Sequence, residues 1–570
     1  MATTPASASP APPVSAGTVS ASIVAALEPH VSDVFGVMGN GNAWFLDAVV
    51  ASSLDYTAVR HESAAVAAAD AYFRSSGRLA VATTTYGPGF TNALTPLTEA
   101  AKARIPLVLV TGDAPEPRRP WDIDQRALTE AAGATYLAVG AADAGEMTRH
   151  AIELALAGHG PVVLAIPYHL AAAHGTETDS AGVAASDLAV VDAAPATDAA
   201  AISAAAGILD TAEHPVILAG RGAWLAGAQD AAAALASRLG AHTATTALAM
   251  SFFGDEPGTG GSLGVAGGFA TEATADEIAR ADVVLVLGAS LSQFTMRFGH
   301  AFAEDAHVIQ VDVADAPTHP RVDTYLRGDA AETAAALLAA LDESARRHPH
   351  PAPGPVAQTR PDGDDLAPDG RLDPRSLTAR LDAILPPDRT VVQDGGHFIG
   401  WGPTYLRIPA PDRLLMVGTA FQTIGLGLAS AVGAGRAVPE STIVLCTGDG
   451  GALMGLADLE TVVRSVRRGV IVVFNDAAYG AEIHQYGVRG IDTAPMLIDE
   501  VDFAGIAAAL GASSAVVCEL GDLRALETWL ASGVDGVFLA DCRVSRTVVA
   551  PYMAEVVAAA TGHVNTSEPD

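Results

Sequence analysis

The sequence predicts an α/β protein assembled from three parallel-sheet α/β domains. Short apolar runs recur along the chain, end in glycine- or acid-rich turns and are followed by helical stretches, which is the alternation of βαβ units. Two polar stretches interrupt that alternation: one rich in Ala, Asp, Thr and Ser from about Ala171 to Ala200, the other rich in Pro, Asp and Gly from about Arg346 to Asp373. Acidic and amide side chains sit at the carboxyl ends of predicted strands, where open sheets bind ligands. The expected organisation is a disordered tail over 1–17, domains over 18–180 and 195–345, a linker over 346–373 and a domain over 374–570.

Composition narrows the function. Half of the 570 residues are apolar and 17% are charged, which describes a globular chain with sizeable cores. A formal net charge of −33 argues against a general nucleic-acid binder, which needs basic patches to neutralise phosphates. Lys102 is the single lysine, and Ala101-Lys102-Ala103-Arg104 fits neither a Walker-A loop nor a pyridoxal Schiff-base site. Cys446, Cys518 and Cys542 have no metal-ligand spacing and read as reduced cysteines, with Cys446 and Cys542 in apolar strands. The histidines of the second linker, His348 and His350, alternate with prolines and read as extended chain. The Ala/Pro/Ser/Thr-rich start lacks the basic residues of a secretory signal, and no charge-free apolar run spans a bilayer. A soluble cytoplasmic protein is expected.

In the first segment, Val34-Phe35-Gly36-Val37-Met38-Gly39-Asn40 ends an apolar strand in a glycine turn. Val59-Arg60-His61-Glu62-Ser63-Ala64-Ala65 opens an alanine-rich helix to about Arg74, with Glu62 in the first turn, where the helix dipole favours an acid. A strand over Ala80 to Thr84 leads into Tyr86-Gly87-Pro88-Gly89-Phe90-Thr91-Asn92, which opens another helix. The middle segment supplies strands at Pro215 to Ala219, Ala281 to Gly288 and His307 to Asp312, the first ending in Gly220-Arg221-Gly222. In the third, Val391-Val392-Gln393-Asp394-Gly395-Gly396-His397 is a strand ending in a polar loop, and Gly418-Thr419-Ala420-Phe421-Gln422-Thr423-Ile424-Gly425 opens a helix through Gly427 and Ala429. A strand over Thr442 to Cys446 breaks at Gly448-Asp449-Gly450-Gly451. A helical pattern follows from about Leu453 to Val466, then a strand over Val470 to Phe474 that ends in Asn475-Asp476. Glycines beside Asp449 let backbone N–H groups approach a diphosphate at a helix start, and oxygen ligands suit Mg²⁺.

With both sets of motifs in place, the chain resembles the thiamine-diphosphate (ThDP) enzymes of the acetolactate synthase and 2-oxoacid decarboxylase type, from about Thr18 to Ala560. The carrying strings are similar to FG-x-PG (with Met38 at the proline position), RHE-x-x-A and GPG-x-TN in the first segment and GDG followed by an Asn-Asp pair in the third. The resemblance implies a ThDP fold with pyrimidine-binding, central and diphosphate-binding domains. It assigns Glu62 as the carboxylate that shares a proton with the aminopyrimidine and so promotes loss of the thiazolium C2 proton. It implies Mg²⁺ held by Asp449, Asp476 and the carbonyl of Ala478, with Asp476 standing where the family usually has Asn. Pro88, Asn92, Gly396, His397, Gly418, Thr419, Gln422, Gly448, Gly450, Gly451, Tyr479 and Gly480 would complete the cofactor cradle, and Ile424 would wedge between the two cofactor rings. Glu482 aligns with a catalytic glutamate of simple decarboxylases, and Asn40, Tyr86 and Gln125 with substrate-pocket positions.

The implied activity is decarboxylation of a 2-oxo acid followed by carboligation. The alternatives are a non-ligating decarboxylase, a ThDP lyase acting on acyloins, diketones or acyl-CoA, and a non-catalytic nucleotide-binding protein. FAD in the central domain is the lesser expectation, because Gly264-Val265-Ala266-Gly267-Gly268 lacks the histidine of the matching acetolactate synthase string. Partners are a small 2-oxo acid or aldehyde and further copies of the chain, as a homodimer or homotetramer.

Overall fold

A computed structural model describes residues 17–114, 119–158, 160–175, 197–254, 261–342, 356 and 363–562. The expected tail (apart from Gly17), most of the first polar stretch and, of the second, residues 346–355 and 357–362, with His348 and His350, lie outside the described residues.

Three six-stranded sheets, parallel throughout, carry the fold. The first contains β1 (Asp33–Gly36), β2 (Asp55–Ala58), β3 (Val81–Thr84), β4 (Leu107–Asp113), β5 (Thr135–Ala138) and β6 (Pro161–Pro167), in the order β2-β1-β3-β4-β6-β5. The second contains β7 (Pro215–Ala219), β8 (His242–Thr245), β9 (Ser262–Val265), β10 (Val283–Leu287), β11 (His307–Asp312) and β12 (Thr324–Arg327), in the order β12-β11-β10-β7-β8-β9. The third contains β13 (Arg389–Gln393), β14 (Leu414–Leu415), β15 (Thr442–Gly448), β16 (Arg468–Asn475), β17 (Ser513–Val517) and β18 (Gly536–Arg543), in the order β14-β13-β15-β16-β18-β17. Strand for strand, the first and third sheets have the same order. The second has the doubly wound order of dinucleotide-binding folds.

Strands buried on both faces explain the apolar runs: every residue of β4, β6 and β15 is buried. The matching order of the outer sheets places their switch points between β1 and β3 and between β13 and β15. The loops leaving those four strands carry Asn40, Tyr86, Gly396 and Asp449. In the second sheet the switch point is closed by its own glycines. Gly220 N–H donates to Leu287 O and Gly222 N–H to Gly288 O, both at 2.8 Å, and a Cβ on Gly288 would come within 2.2 Å of Ala223 N. These glycines serve loop-to-loop packing.

The chain forms two compact units: residues to Val191 with Val417–Pro439 and Gly455–Val466, and Asp192–Met416 with Glu440–Met454 and Arg467–Asp570. In the first, the Glu62–Ser76 helix buries a run of small residues, Ala64 to Ala71, and ends at Gly77, whose φ of 66° is the left-handed cap glycine favours. The Gly427–Ala437 helix packs on it through Gly433, where a Cβ would lie 2.0 Å from Ala68 O.

Two helix expectations differ. The helix expected from Leu453 begins at Asp449 and breaks at Gly455 before resuming at Leu459–Ser465. A side chain at Gly455 would meet Gly425 O at 2.8 Å, so the break brings two backbones together. The helix expected to open at Gly418 starts at Gly427, because Gly418, Gln422 and Gly425 all have positive φ, incompatible with a right-handed helix.

Candidate active site

Glu62 begins its helix directly after β2, and its Oε2 accepts a hydrogen bond from Asn92 Nδ2 at 3.0 Å. A Cβ on Gly89 would lie 3.1 Å from Glu62 Oε1, so the middle glycine of the GPG run leaves room for the carboxylate. The turn before Glu62 is pinned: Asp458 Oδ1 accepts the Arg60 N–H at 2.9 Å, and Arg60 Nε pairs with Glu460 at 2.8 Å. Asn40 Nδ2 donates to the Tyr86 hydroxyl at 2.6 Å. Gln125 is buried, accepts the Gly87 N–H through Oε1 and donates through Nε2 to Gly112 O. Its amide ties the loop after β3 to the carboxyl end of β4, so in this unit its visible work is to set the GPG turn.

The same unit contains Pro88, Gly418, Thr419, Gln422 and half-buried Ile424. Positive φ at Gly418 (108°), Gln422 (59°) and Gly425 (86°) folds this segment into successive turns, closed by Thr423 N–H donating to Gly418 O.

The second unit holds the acidic loop. Asp449 is buried at the start of the Asp449–Met454 helix, its Oδ1 accepting the Gly450 N–H at 2.9 Å and its Oδ2 the Ala478 N–H at 3.2 Å. Asp476 follows β16, and Ala477 turns the chain with a φ of 55°, a conformation that costs a non-glycine residue energy. The Met496–Ile498 segment buttresses this loop: Tyr479 N–H donates to Met496 O, and Ile498 N–H to Ala477 O. Burial pushes the Asp449 carboxyl up to about 6. Burial, then the neighbouring Asp449, pushes Asp476 up to about 7.

Glycines keep the surroundings open to backbone approach. A Cβ on Gly450 would strike the Tyr479 ring at 2.6 Å, one on Gly451 Asp394 Oδ2 at 2.8 Å, and one on Gly480 Asp476 Oδ2 at 2.8 Å. Gly448 likewise leaves room for Phe398, which stacks on Phe474. Two facing carboxylates and a turn carbonyl at Ala478, beside a glycine-rich helix start, form an all-oxygen set that suits a hard divalent cation next to a diphosphate. Thiamine diphosphate and Mg²⁺ therefore fit the residues present.

Gly396 (φ 142°) leads into buried His397, whose Nε2 accepts the Ala550 N–H at 2.8 Å. Burial, reinforced by His484, lowers the His397 pKa to about 3, so the ring is neutral. His484 lies 4.5 Å away between ring centroids. Glu482 is exposed in the first turn of the Gly480–Tyr486 helix.

Sequence reasoning missed Asp458 and Glu460 behind Arg60, the Ala550 partner of His397, and Glu99, which holds Phe421. Each is contributed by a distant segment without a local signature.

Similarity to known proteins agrees with this architecture. Residues 17–135 match the family described as thiamine pyrophosphate enzyme, N-terminal TPP binding domain. Residues 202–337 match its central domain, and 394–540 its C-terminal TPP binding domain. The chain is 30% identical over 536 residues to a probable 2-ketoarginine decarboxylase of Pseudomonas aeruginosa, covering 90% of this chain and 91% of that protein. It is 27% identical over 463 residues to an acetolactate synthase large subunit of Parasynechococcus marenigrum, covering 78% and 73%. The fold matches a Rhodococcus jostii ThDP-dependent 4-hydroxybenzoylformate decarboxylase with a TM-score of 0.76 at 21% identity, over 93% of this chain and 99% of that one. The chain belongs to the thiamine-diphosphate-dependent enzyme family.

Proposed function

We propose that this protein is a ThDP- and Mg²⁺-dependent enzyme that decarboxylates a 2-oxo acid and joins the remaining fragment to a second carbonyl, as acetolactate synthases do. The observation that carries the reading is the pair of prepared sites: Glu62 held by Asn92 beside Gly89, and Asp449 and Asp476 facing each other at the ends of β15 and β16. Bound ThDP supplies a nucleophilic carbon at thiazolium C2 that stabilises the negative charge left by loss of CO₂.

The chain's own residues do the rest. Asp449, Asp476 and the Ala478 carbonyl would hold the cation, with the Gly448–Gly451 turn beside them leaving room for the diphosphate. Glu62 shares a proton with the pyrimidine ring, and Asn92 fixes the orientation of its carboxylate. Ile424 supports the cofactor rings, and Asn40 and Tyr86 line the substrate side.

A second reading, decarboxylation without ligation, is favoured by Glu482, an exposed acid in the first turn of the helix after the cation loop and a candidate proton donor. Product analysis tests the two readings. With ThDP, Mg²⁺ and a panel of 2-oxo acids, ligation yields an acyloin or acetohydroxy acid and simple decarboxylation yields free aldehyde. Neither product from any 2-oxo acid would overturn both and leave a lyase acting on acyloins, diketones or acyl-CoA.

A further inference from the structure

The chain's single lysine belongs to no motif of the cofactor site, yet its placement is specific. Lys102 ends the Leu94–Lys102 helix with Nζ 5.8 Å from the centre of the Phe421 ring. Three residues earlier, Glu99 is fully buried. One of its carboxylate oxygens accepts the Phe421 N–H at 2.6 Å, and the other accepts Arg74 Nη2 at 3.1 Å. Residues three apart share a helix face, so Glu99 and Lys102 grip one residue, the first by its backbone and the second by its ring.

The grip is anchored behind. Arg74 also donates from Nε to Asp70, likewise fully buried, at 2.5 Å. Two buried carboxylates facing one guanidinium leave a negative charge in excess, and a buried charge persists only when hydrogen-bonded. The Phe421 N–H supplies such a bond to Glu99. The network therefore ties the Glu62–Ser76 helix, which holds Asp70 and Arg74, to the Gly418–Gly425 turns through the Leu94–Lys102 helix.

Phe421 sits in the middle of those turns. Phe421 is 43% exposed, and the Lys102 ammonium stands over its ring. The next residue, Gln422, is left-handed, a conformation glutamine holds only when its neighbours are fixed. Ile424 comes two residues later. We propose that Glu99 and Lys102 are positioning residues: by clamping Phe421 they set the turn that presents Ile424 to the cofactor rings. This rests on the ThDP reading above.

The test uses the full-length protein and the variants Lys102→Met, Lys102→Arg and Glu99→Gln. Three quantities are measured: ThDP affinity with Mg²⁺ by calorimetry, the rate of hydrogen–deuterium exchange at C2 of the bound cofactor by quenched-flow NMR, and the melting temperature without cofactor. The expected result for Lys102→Met is C2 exchange slowed by about tenfold or more while affinity changes by less than about threefold, because orientation and not diphosphate binding is lost. Its cofactor-free melting temperature stays close to that of the wild type. Lys102→Arg keeps a cation over the ring and restores exchange. Glu99→Gln slows exchange further, and should it fail to fold, the two Lys102 variants carry the test.

Wild-type exchange in Lys102→Met would overturn the inference. So would a parallel fall in exchange, affinity and melting temperature without rescue by arginine, which is the pattern of a merely structural contact. A wild-type protein that binds no ThDP would overturn the cofactor reading itself, an outcome distinct from both.

Discussion

Replacing Gly433 with alanine tests how the Glu62 helix is held. Gly433 lies where the Gly427–Ala437 helix crosses the Glu62–Ser76 helix, and an added Cβ would lie 2.0 Å from Ala68 O and 2.8 Å from Ala68 C. Non-bonded heavy atoms settle at about 3.5 Å, so the helices must part by more than about 1 Å, since the obstacle is backbone and cannot rotate away. Overpacking of this kind costs about 1–3 kcal/mol, and the helix-propensity gain of alanine over glycine returns only about 0.5–1 kcal/mol. At about 2–4 °C per kcal/mol for domains of this size, melting should fall by several degrees. Activity should fall further than stability, because a displacement of about 1 Å at a positioned group costs up to about a hundredfold in rate. Gly207→Ala is the control: Gly207 lies in the Ala199–Asp210 helix, and a Cβ added there meets nothing within 4 Å, so alanine should stabilise. Scanning calorimetry and turnover measurements on the two variants decide it. Gly433→Ala melting at or above the wild type, with normal activity, would refute the helix-contact reasoning.

The other expectations are more local. His397 has a folded pKa of about 3 against 6.5 unfolded, so folding favours its neutral ring. That stability is complete above about pH 6.5 and is lost as pH falls toward 3, reaching about 2 kcal/mol at pH 5. His397→Gln keeps an acceptor for the Ala550 N–H and should reduce the loss in denaturant stability between pH 7.5 and 5 by that amount; equal acid sensitivity in both proteins would count against it. Asp449→Asn should weaken Mg²⁺-dependent ThDP binding by about tenfold to a hundredfold or more in calorimetry. Asp476→Asn removes a like charge facing Asp449, so it should raise the melting temperature without cation while lowering Mg²⁺ affinity. Glu482→Gln should leave ThDP affinity near the wild-type value and change the ratio of aldehyde to acyloin by NMR.

What the sequence made legible was local. The runs 442–446 and 470–474 mark β15 and β16 because buried parallel strands are continuous apolar segments, and the glycine-acid turns mark their carboxyl ends. Glu62, Asn92 and Asp449 stand in strand-to-helix turns that the sequence marks, while the roles given to them rest on the resemblance to ThDP enzymes. Elements without a pattern were not legible. Two-residue β14 is too short to show one, and half-exposed β17 has only one fully buried residue. The break at Gly455 depends on Gly425 of a distant turn, and the positive φ values of Gln422 and Ala477 are imposed by packing on non-glycine residues. The partners of Arg60, His397 and Phe421 come from segments far along the chain, so no local spacing announces them. The resemblance assigned Gln125 to a substrate pocket; the folded loops show its amide bonded to Gly87 and Gly112, partners that no local spacing announces.

Whether Glu62 drives decarboxylation on ThDP is decided by CO₂ release from pyruvate and a panel of longer and aromatic 2-oxo acids, with and without ThDP and Mg²⁺, in the wild type and Glu62→Gln. Release should require ThDP and fall by at least about a hundredfold in Glu62→Gln, while the variant still binds the cofactor through the Asp449 loop. Release that continues unchanged in Glu62→Gln, or its absence from every 2-oxo acid with ThDP bound, would contradict that role.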